Sequence, residues 1–278
     1  MRFPPRKRDS APVLMIFDSH MHTKFSADSE MLASDAIAKA EELNFGVVFT
    51  EHFDYGVAAD DKNFSFDPAA YMSEYKNFRG EKVRLGVEVG LRKSARKVNE
   101  NFIAQAPFDL VIGSIHLVDD LDIYYPEFYK GKDKATAYKK YFQQMAEEFS
   151  VADFDVAGHI DYICRAAPYD NPEIDYVTFA AEIDEVLKIV VDRGKVLELN
   201  TRRFKSSRAI KELVPVYKKY RELGGRFVTI GSDAHRVSAV GNHFDRALDF
   251  VRELNLIPAT FCERKLEKAF ARDMIYLF

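Results

Sequence analysis

The sequence offers little to a membrane, a nucleic acid or an oxidising compartment. No apolar run approaches the roughly 20 residues that a bilayer-spanning helix needs, so a membrane partner is not expected. Basic and acidic residues nearly balance, 40 against 44, for a net charge of −4. That balance, with no basic stripe, argues against a surface for long polynucleotides. There are only two cysteines, Cys164 and Cys262, and neither has a CxxC neighbour. A thiolate zinc site or a redox pair is therefore not suggested, and two plain thiols in a reducing, cytoplasmic setting fit best. Residues 1–12, MRFPPRKRDSAP, are basic and proline-rich and lack the apolar centre of a secretory signal. They read as a disordered arm ahead of a single domain over residues 13–278, with structure beginning near Met15. Internal repeats and low-complexity linkers are also missing, and the sequence does not speak to oligomeric state.

What is present is an alternation. Short apolar runs at Val13–Phe17, Gly46–Thr50, Val83–Val89, Leu110–Ile115, Phe154–Ala157, Val196–Leu199 and Phe227–Ile230 read as strands. Helical spacing marks Ser34–Leu43, Pro68–Phe78, Ser94–Gln105, Lys134–Phe149, Tyr176–Asp192, Ala209–Leu223 and Asn242–Leu254. Asn44, Gly194 and Gly224 stand where helices should stop. Strands alternating with helices predict a parallel sheet, and seven such units suit a closed β/α barrel better than an open sheet.

The polar residues fall into this frame with unusual regularity. Six of the seven histidines lie at or just past a strand end, in FDSHMH, FTEH, IGSIH, VAGHID and GSDAH. The third strand ends on Glu88 and the sixth on Asn200. In a β/α barrel those ends converge on one face, where active sites are built. His20 and His22 are two apart, as are Asp233 and His235, which on extended backbone puts each pair on one side. Imidazoles mixed with carboxylates suit zinc, iron or manganese. His243 sits in a helix-like stretch and is read as structural. Asp18 and Glu51, which flank candidate ligands, suit either direct ligation or orientation of the ligands beside them.

HxHT early, TEH after the second strand, GxE after the third and SDAH after the last resemble the polymerase and histidinol phosphatase (PHP) superfamily. The resemblance runs from about Phe17 to about Asp249. FDSHMHTKFSADS, GVEVG, IGSIH, GHIDYI and ELNT are similar, more narrowly, to its histidinol-phosphatase branch. The resemblance implies a distorted (β/α)7 TIM-like barrel with three divalent metal ions (zinc, iron or manganese) at the C-terminal ends of the strands. Carried over by position, His20, His22, Glu88 and Asp233 would hold one ion. Glu88, His116 and His159 would hold a second, and Asp28, His52 and His235 a third. Some members have histidine where this chain has Asp28, and an oxygen donor there admits iron or manganese as readily as zinc.

The chemistry expected of such a site is hydrolysis of a small phosphate monoester, with L-histidinol phosphate, an intermediate of histidine biosynthesis, as the substrate. A hydroxide bridging two metals is available as nucleophile at neutral pH, with Glu88 setting the metal separation. Arg165 and Arg202 are the expected catalytic arginines, since a guanidinium fork matches phosphate oxygens. Arg203 and Arg236 are further candidates for substrate binding. Asp161 is a candidate acid for the leaving oxygen or a partner that orients a neighbour. The acidic, aromatic stretch VDDLDIYYPEFY, with Asp119, Asp120, Asp122, Tyr124 and Tyr125, suits an amine and an imidazole, and Asn200 is placed beside the substrate. The competing readings are a phosphoesterase of the same superfamily acting on a nucleotide or another small ester, an amidohydrolase barrel, and a degenerate barrel without activity. No lysine stands at a strand end to serve the amidohydrolase reading, and a complete ligand set speaks against degeneration.

Overall fold

A computed structural model describes residues 15–59 and 62–268; the expected arm, residues 1–12, lies outside them. Seven parallel strands run in sequential order around one sheet: β1 (Phe17–Asp18), β2 (Gly46–Phe53), β3 (Val83–Gly90), β4 (Val111–Ser114), β5 (Val156–Ala157), β6 (Val196–Asn200) and β7 (Phe227–Gly231). Helices α1 (Ala33–Glu42), α2 (Pro68–Tyr75), α3 (Arg96–Ile103), α4 (Lys134–Val151), α5 (Ala180–Asp192), α6 (Ser207–Glu222) and α7 (Phe244–Glu253) alternate with them. The sheet curls until the segment after β1 meets the segment after β7. Ser19 N donates to Ile230 O, Asp233 N to His20 O, and Met21 bridges Ala234. The result is a distorted seven-stranded β/α barrel.

Local chemistry accounts for the element ends. Asp67 accepts from Ala69 N to start α2, with Pro68 in the first turn; Asp133 caps α4 through Thr136 N, and Ser206 caps α6 through Ala209 N. Asn44, Gly194 and Gly224 take positive φ just after α1, α5 and α6, as their sequence positions predict. Helix α5 begins four residues later than its periodicity suggests, at Ala180. His243 lies outside α7, as its left-handed N-cap residue.

Two strands after α7 escaped the sequence reading. β8 (Ile257–Cys262) pairs in parallel with β7, but only at Phe227 and Val228, and β9 (Lys265–Lys268) folds back antiparallel on β8. This hairpin closes the N-terminal end of the barrel. Phe261 joins Phe17, Val48, Leu110, Ile112, Val156 and Val196 in an apolar plug inside it. The residues between these, such as Val47, Phe49, Leu85, Val87, Leu197 and Leu199, belong to the larger core shared with the helices.

That period-two alternation positions the site. Followed upward, the inward stripe turns from apolar to polar: Val48, Thr50, His52 on β2, and Leu110, Ile112, Ser114, His116 on and after β4. On β6 it reads Val196, Glu198, Asn200. Strands β2, β4 and β6 thus fill the plug at one end and deliver polar side chains at the other.

Candidate metal centre

Nine side chains carrying nitrogen or oxygen donors converge at the mouth: His20, His22, Asp28, His52, Glu88, His116, His159, Asp233 and His235. Four overlapping groups of donor atoms are each compact enough to hold an ion: His20–His22–Asp233, His20–Glu88–His159, His52–Glu88–His116 and His22–His52–His235. Glu88, fully buried at the end of β3, stands at the centre. Its Oε1 lies 2.8 Å from His159 Nε2 and 3.3 Å from His116 Nε2. Its Oε2 lies 3.2 Å from His20 Nε2 and 3.0 Å from His52 Nδ1. Asp28 Oδ2 sits 3.1 Å from His235 Nε2 and 3.6 Å from His52 Nε2.

The hydrogen-bond network fixes which ring nitrogens keep a lone pair. Glu198 Oε1 accepts from His20 Nδ1 at 2.7 Å, so His20 Nε2 faces the centre bare. Asp54 accepts from His116 Nδ1 at 2.9 Å, with the same result for His116 Nε2. Ser26 Oγ donates to Glu51 Oε2 at 2.7 Å, so it can only accept from His22 Nδ1 at 3.0 Å, which leaves His22 Nε2 bare. His20 Nε2 and His22 Nε2 then stand 3.1 Å apart, two lone pairs aimed at one region beside two carboxylates. Burial, together with the neighbouring His52 and His235 imidazoles, pushes the His22 pKa well below its ordinary value. Glu88 Oε2 and His52 Nδ1 are close, yet neither has a hydrogen-bond partner, and His159 Nδ1 also has none. Burial would lower His20, His52 and His116 as well, but the neighbouring carboxylates outweigh it and push them the other way, up from the ordinary imidazole value. A cation would meet both the carboxylate charge and the buried polar atoms left unpaired.

Supporting side chains need space, and glycine supplies it. A Cβ on Gly90 would lie 1.8 Å from Asp54 Oδ1, and one on Gly231 would lie 2.4 Å from the Cβ of His20 and 2.5 Å from Glu198 Oε1. The last glycine of GVEVG therefore lets Asp54 reach His116. Sequence reasoning missed Asp54 and Glu198. Both were within reach of it, since Asp54 is two past His52 and Glu198 two before Asn200, each on an inward stripe. Of the two flanking acids it did single out, Glu51 holds Thr23 and Ser26 beneath His22, and Asp18 accepts from the backbone of Ser232 and Gly241. Both orient the site rather than enter it.

The donors open into a cavity of about 530 Å³. Arg165, Arg202 and Arg203 line it on the side of the β5 and β6 loops. Arg165 is bonded to Asp233 Oδ2, and its guanidinium lies 4.8 Å from the centroid of the Tyr162 ring. Arg202 Nη1 reaches Asp233 Oδ1 at 3.1 Å and His235 Nδ1 at 3.0 Å. Burial opposes ionisation of Asp233, but Arg165 and His20 outweigh it and hold the carboxyl well below the usual range.

Several expected substrate contacts lie elsewhere. Asp161 is buried off the cavity wall, where its Oδ2 accepts from Arg203 at 2.9 Å, and Arg203 also grips Glu173 at 2.7 Å. Asp161 thus positions Arg203 and does not itself line the cavity. Arg236 is exposed and off the wall. Asp119 is exposed, at positive φ, and paired with Lys140 at 2.5 Å. Asn200 is buried behind the wall, its amide nitrogen 3.2 Å from Glu198 Oε1 and its oxygen 3.3 Å from Arg165, so it orients the site without lining it. Tyr124 does line the cavity, as do Asp122, Tyr125 and Tyr162.

With this geometry in hand, comparison with known proteins is informative. The family model described as the PHP domain matches residues 18–202. A probable histidinol-phosphatase of Clostridium acetobutylicum is 42% identical over 256 residues, 92% of this chain and all of that one. The histidinol-phosphatase of Lactococcus lactis is 30% identical over 263 residues, 90% of this chain and 96% of the relative. A crystal structure of histidinol phosphate phosphatase from Lactococcus lactis, complexed with zinc, L-histidinol and phosphate, superposes with a TM-score of 0.85 at 28% identity. It covers 92% of this chain and all of the other.

Proposed function

Because the chain belongs to the PHP domain family, in its histidinol-phosphatase branch, we propose that it hydrolyses L-histidinol phosphate to L-histidinol and phosphate in the cytoplasm. The observation that carries this reading is the pairing of a convergent cluster of imidazole and carboxylate donors with two arginines on one cavity wall. The donors suit divalent cations, and Arg165 and Arg202 suit the phosphate beside them. Donor positions support one ion on His20, His22, Glu88 and Asp233, a second on Glu88, His116 and His159, and a third on Asp28, His52 and His235. Bound divalent ions supply a nucleophile at neutral pH and neutralise charge on the phosphate.

The chain's own residues do the rest. Glu88, with one oxygen toward His116 and His159 and the other toward His20 and His52, would be shared between neighbouring ions. Glu198, Asp54 and Glu51 keep His20, His116 and His22 in the tautomers that present Nε2. Arg165, pinned by Asp233 and the Tyr162 ring, is pre-oriented toward the phosphate, so little freedom is lost when substrate arrives. Asp161 and Glu173 hold Arg203 at the wall as a further positive charge. The two thiols, neither of them in a disulfide, accord with a reducing compartment.

The test is phosphate release from L-histidinol phosphate by protein whose metal content is measured on the same sample. The expected result is turnover that vanishes on chelation and returns with zinc, iron or manganese. Absence of turnover with metal bound sinks the substrate and leaves the phosphoesterase site. A protein that binds no metal even after reconstitution sinks both.

A further inference from the structure

The cavity lining carries both signs of charge. Arg165, Arg202 and Arg203 come from the loops after β5 and β6. The loops after β2 and β4 contribute Val57, Phe64, Leu117, Asp122, Tyr124 and Tyr125. Among the described residues, four carboxylates line the cavity. Asp28 lies against His52 and His235, Asp54 against His116, and Asp233 against Arg165 and Arg202. Asp122 differs. Among the described residues its carboxylate takes a hydrogen bond from Tyr124 N, at 2.8 Å onto Oδ1, and none from an imidazole or guanidinium. It is held in place by a small hairpin in which Leu117 pairs with Asp122, and Ile123 N donates to His116 O. Burial pushes its pKa up, which marks a carboxylate that would gain from a cation.

Resting on the function proposed above, we infer that Asp122 is the specificity residue that pairs with the ammonium group of the substrate, so that histidinol phosphate lies across the mouth with its phosphate toward the arginines and its amine toward the β4 hairpin. Tyr124 and Tyr125 then flank the imidazole end. A substrate carrying opposite charges at its two ends is sorted by a pocket of matching polarity, and a neutral or anionic ester of the same size gains nothing from Asp122.

The test compares wild type and Asp122→Asn on two substrates, histidinol phosphate and 3-(imidazol-4-yl)propyl phosphate, which lacks only the ammonium-bearing side group. Asparagine keeps an oxygen to accept from Tyr124 N, so the hairpin is retained while the charge is lost. The expected result is a fall of about 10- to 100-fold in kcat/KM on histidinol phosphate, mainly through KM, because a charge-assisted hydrogen bond is lost. On the analogue the change is less than about 2-fold, since that ester has no ammonium for the carboxylate to meet. Equal losses on both substrates assign Asp122 to holding the loop and overturn the inference, as does no loss on either. Wild-type turnover of the analogue with none of histidinol phosphate removes the substrate reading, and this inference with it.

Discussion

The two ends of the barrel bury the same kind of side chain and treat it in opposite ways. At the sealed end, Asp109 receives both arms of Arg79 at 2.7 and 3.0 Å and also accepts from Leu85 N and Glu263 N. Arg264, in the β8–β9 turn, holds Asp153 at 2.7 and 2.8 Å and Asp155 at 2.9 Å. Asp109, Asp153 and Asp155 each meet a guanidinium, so these charges are balanced within the chain. At the mouth, the charge partners of Glu88 among the described residues are imidazoles alone, and two of them, His20 and His116, are anchored through Nδ1 to Glu198 and Asp54. Asp233 meets imidazoles and also the guanidinium groups of Arg165 and Arg202. For Glu88, what separates a structural ion pair from a metal cradle is the partner and its proton, not the acid. An arginine always brings hydrogens; a histidine anchored through Nδ1 brings none to the centre.

Substitutions at each end should therefore fail in different ways. Glu88→Ala removes the donor shared by two ion positions. It should lower kcat on histidinol phosphate by about 10³-fold or more, with a fall in bound metal measured on the same sample. Retention of full metal content with lost turnover would show that Glu88 acts on the reaction directly and not through the ions. Glu198→Gln is next. The amide cannot reproduce the carboxylate that fixes His20, so metal affinity from chelator competition should weaken by about 10- to 100-fold with the fold intact. An unchanged affinity would mean the tautomer is fixed by something other than Glu198.

Arg264→Ala belongs to the other end. It strands the buried Asp155 and frees Asp153, and urea unfolding should register a loss of about 1–3 kcal/mol, discounted for the partial exposure of the guanidinium. Turnover per bound metal should stay within about 3-fold of wild type, as expected for a change distant from the reacting groups. A large loss of turnover in the folded variant would break the separation of the two ends. Glu267→Gln gives the smallest effect. Its pair with Arg84 is half in solvent, so unfolding should shift by no more than about 0.5–1 kcal/mol.

The contrast also explains what could be read from the sequence. Most mouth ligands follow an apolar run of fixed period, so a count along the chain finds Glu88, His116 and Asp233 without coordinates, whereas Asp28, in the loop after β1, comes only through the family resemblance. The barrel is legible for the same reason, because seven strands and seven helices each carry their own pattern. The sealed end has no such register. Arg264 meets Asp153 and Asp155 across more than a hundred residues, and the β8–β9 hairpin is short, charged and exposed along β9, with no alternation to betray it. The arginines fall between these cases. Loop position brings Arg165, Arg202 and Arg203 to the cavity, but only the fold tells them from Arg236, which points into solvent. Asp161 was drawn to the substrate because it stands two past His159, and Asn200 because it ends the sixth strand, whereas the turn after β5 and the inward stripe of β6 set both behind the wall.

The late position of the β8–β9 hairpin makes it separable from the ligand set. All nine donors lie between His20 and His235, whereas Phe261 and Arg264, which stopper the far end, come after them in the chain. A protein truncated before Ile257 would keep every donor while losing the piece that shuts the barrel beneath them.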